Sequence, residues 1–198
     1  MISHAHKFIF IHIPKTGGTS VEEALLDESC ECTKDLWDPR IKTTPLNHLT
    51  LNEMIEHDFV DVKTAASYFK FCFVRNPWAR AVSEVNSRHV RYKGDTVQEQ
   101  LRTINAISSY GNHIRPQVDF IDNRFDLEMD YIGRYETLVS DFQTVCERLD
   151  MELPVALPHR NASFGGDYRQ YYDDELQEMI ACKYREDIVR FDYRFSDI

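Results

Sequence analysis

The sequence predicts an α/β fold in three layers, with a central, mostly parallel sheet flanked by helices. Two observations carry that reading. Lys7 to Ile13 (KFIFIHI) is apolar on both faces and rich in β-formers, as a strand covered on each side must be, and it runs through a Gly-rich turn into a helix-periodic segment. The same order recurs at Phe69 to Val74 (FKFCFV), a second buried strand that leads into a helix start. Strands alternating with helices build layered α/β domains, whose ligands bind beyond the carboxyl ends of the strands.

The elements follow in order. After the first strand, Val21, Ala24, Leu25 and Leu26 give the first helix its apolar stripe. Thr50-Leu51-Asn52-Glu53 has the form of a capping box and opens a short helix through about His57. Beyond the second strand, Asn76 suits an N-cap and Pro77 the first helical position. Val97 to Ser108 is helical by the spacing of Leu101, Ile104 and Ile107. Tyr131 to Tyr135 (YIGRY) reads as a third core strand, followed by a helix carrying Leu138, Phe142, Val145 and Leu149. A last long helix, about Asp173 to Phe191, places Leu176, Ile180, Tyr184, Ile188 and Phe191 on one stripe.

Composition narrows the function classes. In 198 residues, 42% are hydrophobic and 28% charged, which supports one sizeable core and excludes global disorder. With 23 Lys and Arg against 33 Asp and Glu, the formal net charge of −10 argues against coating nucleic acid or anionic membrane. An anionic small ligand is still allowed, because it needs only a few local cations and oriented N–H groups. No apolar run approaches the roughly 20 residues of a membrane span, and the start lacks a cleavable signal's apolar core. Five Cys without a repeating framework suggest reduced thiols in a cytoplasmic setting. With no repeat, low-complexity tract or linker, residues 1–198 read as one domain.

The strongest local signal is Pro14-Lys15-Thr16-Gly17-Gly18-Thr19-Ser20, between the first strand and helix. Two adjacent Gly residues let backbone approach a ligand closely, and the helix start offers N–H groups and a positive dipole end. Lys15 adds a full charge, while Thr16, Thr19 and Ser20 add hydroxyls. An ATP or GTP phosphate loop reads G-x-x-x-x-G-K-[ST]. Here Lys15 precedes both Gly residues and the loop is shorter, so its cation lies on the strand side of the anion.

A second loop follows the second strand: Arg75-Asn76-Pro77-Trp78-Ala79-Arg80-Ala81-Val82-Ser83. Arg75 can fork two N–H donors onto a phosphate, and Ser83, three residues after Arg80 and on the same helix face, can donate one more.

On these two loops the chain resembles the sulfotransferases that use 3′-phosphoadenosine-5′-phosphosulfate (PAPS), in particular the carbohydrate-type branch, whose first loop reads H-x-P-K-x-G-G-T-S. Supporting matches are Asn47-His48-Leu49-Thr50, His113-x-Arg115-Pro116-Gln117, Ile132 to Glu136 with Asp141-Phe142, His159-x-Asn161-x-Ser163, and Asp187…Phe191-x-Tyr193-x-Phe195. They spread over almost the whole chain. The resemblance implies a P-loop-like fold and transfer of a sulfuryl group from PAPS to a hydroxyl, on a carbohydrate in that branch. It assigns Lys15, Thr16, Gly17, Gly18, Thr19 and Ser20 to the 5′-phosphosulfate. Arg75 and Ser83 fall on the 3′-phosphate, and Arg160, Asn161 and Ser163 on a loop closing over the nucleotide. His113 and Gln117 fall at the acceptor.

The reaction is an in-line displacement at sulfur in which the nucleotide's 5′-phosphate leaves. Negative charge grows on the bridging oxygen, and Lys15 is the cation placed to stabilise it. An alcohol acceptor needs a base, and His suits that task near neutral pH. The family pattern assigns it to His48, with His113 and then Glu53 as further candidates. No metal is required, since Lys15 and N–H donors neutralise the transferring group. The lack of an N-terminal anchor departs from Golgi-resident relatives and suggests a cytoplasmic enzyme of bacterial or viral type.

Two rival readings share the first turn. A nucleoside-triphosphate kinase with a shortened loop would need Mg²⁺ and a Walker-type Asp on a neighbouring strand, which is not evident. A non-catalytic nucleotide-binding subunit would keep the turn without turnover. Cys30-x-Cys32 lacks the second ligand pair of a zinc site. Trp78 and the Tyr168, Tyr171, Tyr172 cluster read as packing residues, and Glu22, Glu23, Asp27 and Glu28 as solvated helix faces that would disfavour a highly sulfated acceptor. Acceptor recognition is expected in the segments Cys30 to Leu46 and Arg88 to Ile114.

Overall fold

The computed structural model describes residues 1–26, 30–33, 38–41, 45–87, 92–106, 112–151, 157 and 166–197. In chain order they form β1 (Ile2–Ser3), β2 (Phe8–Ile11), α1 (Gly18–Leu25), β3 (Cys30–Glu31), α2 (Leu51–Glu56), α3 (Val62–Ser67) and β4 (Phe69–Val74). There follow α4 (Pro77–Val85), α5 (Val97–Ala106), α6 (Val118–Ile121), β5 (Tyr131–Arg134), α7 (Leu138–Arg148), α8 (Asp174–Lys183) and α9 (Arg185–Phe191). The chain divides into two compact units, Met1–Val74 with Asp119–Arg160 and Arg75–Val118 with Asn161–Ile198. It therefore passes from one to the other after Val74, Val118 and Arg160.

The first unit holds a five-stranded sheet in the order β3-β1-β2-β4-β5, flanked by helices. Its centre is parallel: β2 pairs β4 with Phe10 opposite Phe71, and β4 pairs β5 with Phe73 opposite Gly133. β1 runs antiparallel to both of its neighbours, β2 and β3. All four residues of β2 are fully buried, as the apolar run on both faces requires. Alternation puts Phe8, Phe10, Phe71 and Phe73 on one face, where the Phe10 and Phe71 rings stack 5.0 Å apart. Val21 and Leu25 of α1 and Phe142, Val145 and Cys146 of α7 close over that face as one apolar cluster. The parallel neighbours β2 and β4 are the strands whose carboxyl ends lead into the two loops singled out above.

Local signals held at the helix starts. Thr50 and Glu53 form a complete capping box, with Glu53 N–H donating to Thr50 Oγ1 at 3.1 Å and Thr50 N–H to Glu53 Oε2 at 2.7 Å. This bond occupies the Glu53 carboxylate structurally. In the second unit Asn76 Oδ1 accepts from Trp78 N–H and Ala79 N–H, and Pro77 sits at the first position of α4. All nine residues of α4 are buried. Trp78, Val82 and Val85 join Leu101 and Ile104 of α5 and Leu176 and Ile180 of α8 in one core. Tyr168 belongs to that core and Tyr171 and Tyr172 pack against it, as does Phe195, so the aromatic cluster is packing.

Some boundaries differ from expectation. The first strand ends at Ile11, two residues early, and the helix after it starts at Gly18, inside the Gly-rich turn. The helix from Val97 is described to Ala106, and Ile107 and Ser108 lie outside the described residues. The single last helix is two helices, broken at Tyr184, whose φ of −110° and ψ of 29° leave the helical range. Tyr184 is anchored there by its hydroxyl, which donates to the Ile114 carbonyl at 3.1 Å. Apolar spacing continues across the break, so periodicity carries no sign of it. The two-residue strands β1 and β3 are too short to show any alternation.

Candidate functional site

In the first unit the turn from β2 to α1 is built from an unusual backbone. Lys15 and Gly17 both take left-handed conformations, with φ of 69° and 84°. For a Lys that region is uncommon and costs on the order of 1 kcal/mol, strain that concentrates at functional turns. Thr16 is fully buried and its hydroxyl donates to the Ile13 carbonyl at 2.9 Å, which ties the turn across its base. Gly17 occupies the N-cap of α1, contributes no side-chain cap, and is followed by a first turn with no acidic residue. The helix start thus presents its positive end without a competing carboxylate from that turn, the electrostatics an anion requires. Lys15, Gly17 and Thr19 are partly exposed, whereas Thr16, Gly18 and Ser20 are buried.

Both Gly residues also answer to packing. A Cβ on Gly18 would lie 2.1 Å from Cδ2 of the His12 ring, and one on Gly17 would lie 2.7 Å from Leu138 Cδ2. His12 is therefore seated against the turn. Its Nδ1 lies 2.9 Å from Glu22 Oε2, with side-chain exposures of only 4% and 2%. Since a carboxylate accepts, His12 Nδ1 donates; Asn47 Nδ2 stands farther off, at 3.4 Å from that atom.

His48 follows from the same residue. Its Nδ1 lies 3.0 Å from the backbone carbonyl oxygen of His12, and the two rings meet edge to face at 4.5 Å. A carbonyl oxygen can only accept, so His48 carries its proton on Nδ1 and, when neutral, a lone pair on Nε2. That is the tautomer a base acting through Nε2 needs. His48 closes a single 3-10 turn, Leu46–His48, whose end runs into the capped start of α2.

The second loop belongs to the second unit. Arg75 is half-buried and its backbone is held at both groups by one side chain. Its N–H donates to Gln117 Oε1 at 2.8 Å, and its carbonyl accepts from Gln117 Nε2 at 2.9 Å. Gln117 N–H in turn donates to Asp187 Oδ2 at 2.9 Å, and Val118 N–H to Asp187 Oδ1 at 2.9 Å. Gln117 and Asp187 are both fully buried. Burial pushes the Asp187 carboxyl above its ordinary value, opposed by the Arg80 charge and these hydrogen bonds. Ser83 is buried on α4, 4% exposed.

His113 belongs to a separate cluster. Its Nδ1 donates to Glu84 Oε2 at 3.0 Å, and the other Glu84 oxygen accepts from the Tyr92 hydroxyl at 3.0 Å. Burial and the Glu84 charge push that phenol well above its usual range. Arg80, 2% exposed, donates to the carbonyls of Arg115 and His113 and so shapes the segment that carries His113.

Gln117, expected at the acceptor, is fully buried, with Oε1 accepting from the Arg75 N–H and Nε2 donating to the Arg75 carbonyl. Against the sequence expectations, one correction follows. Glu22 was expected on a solvated face and is instead buried against His12, while Glu23 is half-buried. Glu22 stands four residues after Gly18 and three before Leu25, so helical spacing alone puts it on the inward stripe. Asp27, Glu28, Arg160, Asn161 and Ser163 lie outside the described residues. The Asp187 and Glu84 carboxylates were not anticipated as site supports, because their partners are distant in sequence. Among the described residues no cluster of three metal-ligating side chains occurs, and no described helix is long and apolar enough to cross a membrane.

In comparison with known families, the sulfotransferase family model matches residues 1–194. No curated protein and no solved structure matches.

Proposed function

Since the chain belongs to the sulfotransferase family, we propose that it moves a sulfuryl group from PAPS to a hydroxyl, with a carbohydrate as the acceptor class. What carries the reading is the β2–α1 turn, where left-handed Lys15 and Gly17 lead into an uncapped helix start free of acidic residues. Lys15 and the 16–20 turn hold the 5′-phosphosulfate end. Arg75 and Ser83 hold the 3′-phosphate, and Arg160, Asn161 and Ser163 complete the nucleotide contact. The sulfur–oxygen bond to the 5′-phosphate breaks as a bond from sulfur to the acceptor oxygen forms. His48 Nε2 takes the acceptor's proton, and Lys15 stabilises the charge left on the departing oxygen.

His113, whose Nδ1 is directed at buried Glu84 and whose side chain is 31% exposed, is assigned to acceptor binding. Burial of Glu22 removes one of the acidic groups that argued against charged acceptors. The experiment is calorimetric titration with adenosine 3′,5′-bisphosphate and with AMP, beside a sulfate-transfer assay over neutral and anionic glycans. The bisphosphate is expected to bind at least about tenfold tighter, the worth of one charge-assisted phosphate contact. Equal affinities would remove the roles given to Arg75 and Ser83.

A further inference from the structure

We propose that Gln117 and Asp187 are positioning residues for Arg75, and that they set the preference of its turn for a nucleotide bearing a second phosphate. The inference rests on the reading of Arg75 as the 3′-phosphate ligand and adds to it two fully buried residues. Arg75 sits between the last residue of β4 and the N-cap of α4. The Gln117 amide supplies what a neighbouring strand would: an acceptor for Arg75 N–H at 2.8 Å and a donor to its carbonyl at 2.9 Å.

Which way that amide faces is set by the Arg75 backbone and Asp187 together. Gln117 Nε2 lies 3.3 Å from Asp187 Oδ2, which also accepts from the Gln117 backbone. A flipped amide would set Oε1 against a carboxylate and NH₂ against the Arg75 N–H, two repulsive contacts in a buried site. The carboxylate thus reinforces the one orientation that clamps Arg75. A buried carboxylate stabilises a fold less than an apolar side chain of its size, so its value here lies in orientation.

The next residue is fixed as well. Asn76 Nδ2 lies within 3.1 Å of the Tyr168 hydroxyl and of the Arg194 and Asp197 carbonyls, while its Oδ1 caps α4. With the Arg75 backbone and the neighbouring Asn76 side chain both held, less freedom remains to be lost when the Arg75 guanidinium grips a phosphate.

The test uses Gln117→Leu and Asp187→Asn in the full chain, titrated with adenosine 3′,5′-bisphosphate and with AMP. The ratio of the two affinities is expected to fall about fivefold or more in both variants, with AMP affinity changed less than about twofold. A general loss of stability would move both ligands together, so the ratio separates positioning from folding. Folded variants that keep the wild-type ratio overturn the proposal. If Gln117→Leu fails to fold, Asp187→Asn, nearly isosteric, decides. Native-state hydrogen exchange needs no variant: the Arg75 amide is expected to exchange only through global unfolding, and exchange at loop rates overturns the clamp. A wild type that binds the bisphosphate and AMP equally, with its Arg75 amide protected, overturns the phosphate reading of Arg75 and the selectivity claim together.

Discussion

His12 Nδ1 and Glu22 Oε2 meet at 2.9 Å with both side chains almost wholly out of water, joining the end of β2 to the middle of α1. One partner removed leaves the other's polar atom buried and unmatched. Glu22→Ala is expected to cost about 3 kcal/mol and Glu22→Gln about 1 kcal/mol, read from urea unfolding midpoints. A loss under about 0.5 kcal/mol for Glu22→Ala, the scale of surface substitutions, would contradict the buried pairing.

The same ring sets a steric demand. A methyl on Gly18 would come within 2.1 Å of His12 Cδ2, so Gly18→Ala is expected to destabilise by about 1–3 kcal/mol through overpacking. His12→Ala in the same chain relieves the clash, and the double variant should be less destabilised than the sum of the two single ones. Simple additivity in that double-mutant cycle would show that the ring and Gly18 do not press on each other.

For His48 the prediction separates orientation from chemistry. His48→Gln can still donate to the His12 carbonyl but offers no basic nitrogen; His48→Ala does neither. Turnover is expected to fall about 10²-fold or more in both, the usual scale for a general base, with bisphosphate binding retained. Near-wild-type turnover in His48→Gln would dismiss His48 as base.

The charge arrangement of the turn carries a metal prediction. Because Lys15 and the α1 N–H groups are assigned the donor's anionic end, nucleotide affinity should stay within about twofold when Mg²⁺ is added or chelated. Strict Mg²⁺ dependence of binding would favour a nucleoside-triphosphate kinase.

Asp187 gives a pH signature. Its folded pKa is raised above the ordinary 3.8 by burial, so the native state holds this proton more tightly than the unfolded chain does. The contribution is therefore fully present below the unfolded pKa and is lost as pH rises through the folded value. Asp187→Asn removes that loss. Its stability relative to wild type should improve as pH rises from about 4 toward neutrality, followed by urea midpoints at each pH. A difference independent of pH would mean that Asp187 is not desolvated as described.

What could be read from sequence was what depends on near neighbours. The capping box of Thr50 and Glu53, the Asn76-Pro77 start of α4 and the apolar strands Phe8–Ile11 and Phe69–Val74 rest on interactions a few residues long. The Gly pair was legible as a turn, but the packing that demands it was not, because His12, Tyr135 and Leu138 reach it in space. Asp187 and Gln117 are 70 positions apart, and no local pattern marks either as the other's partner. Glu22 shows a different failure: its spacing placed it inward, and its charge suggested water. The buried imidazole that reconciles the two comes from His12, the residue just after the preceding strand.

The alternation of the chain between its two units limits how the protein can be dissected. Ending the polypeptide at residue 160 keeps every described strand, yet it strips Tyr168, Leu176, Ile180 and Tyr184 from the apolar cluster they share with Trp78, Val82, Leu101 and Ile104. Such a fragment would carry half a core with its oily side uncovered, a recipe for inclusion bodies. A minimal sheet module instead calls for excising both tracts of the second unit and splicing Val74 to Asp119, and proteolytic nicking at one site alone should not release a freely folding piece.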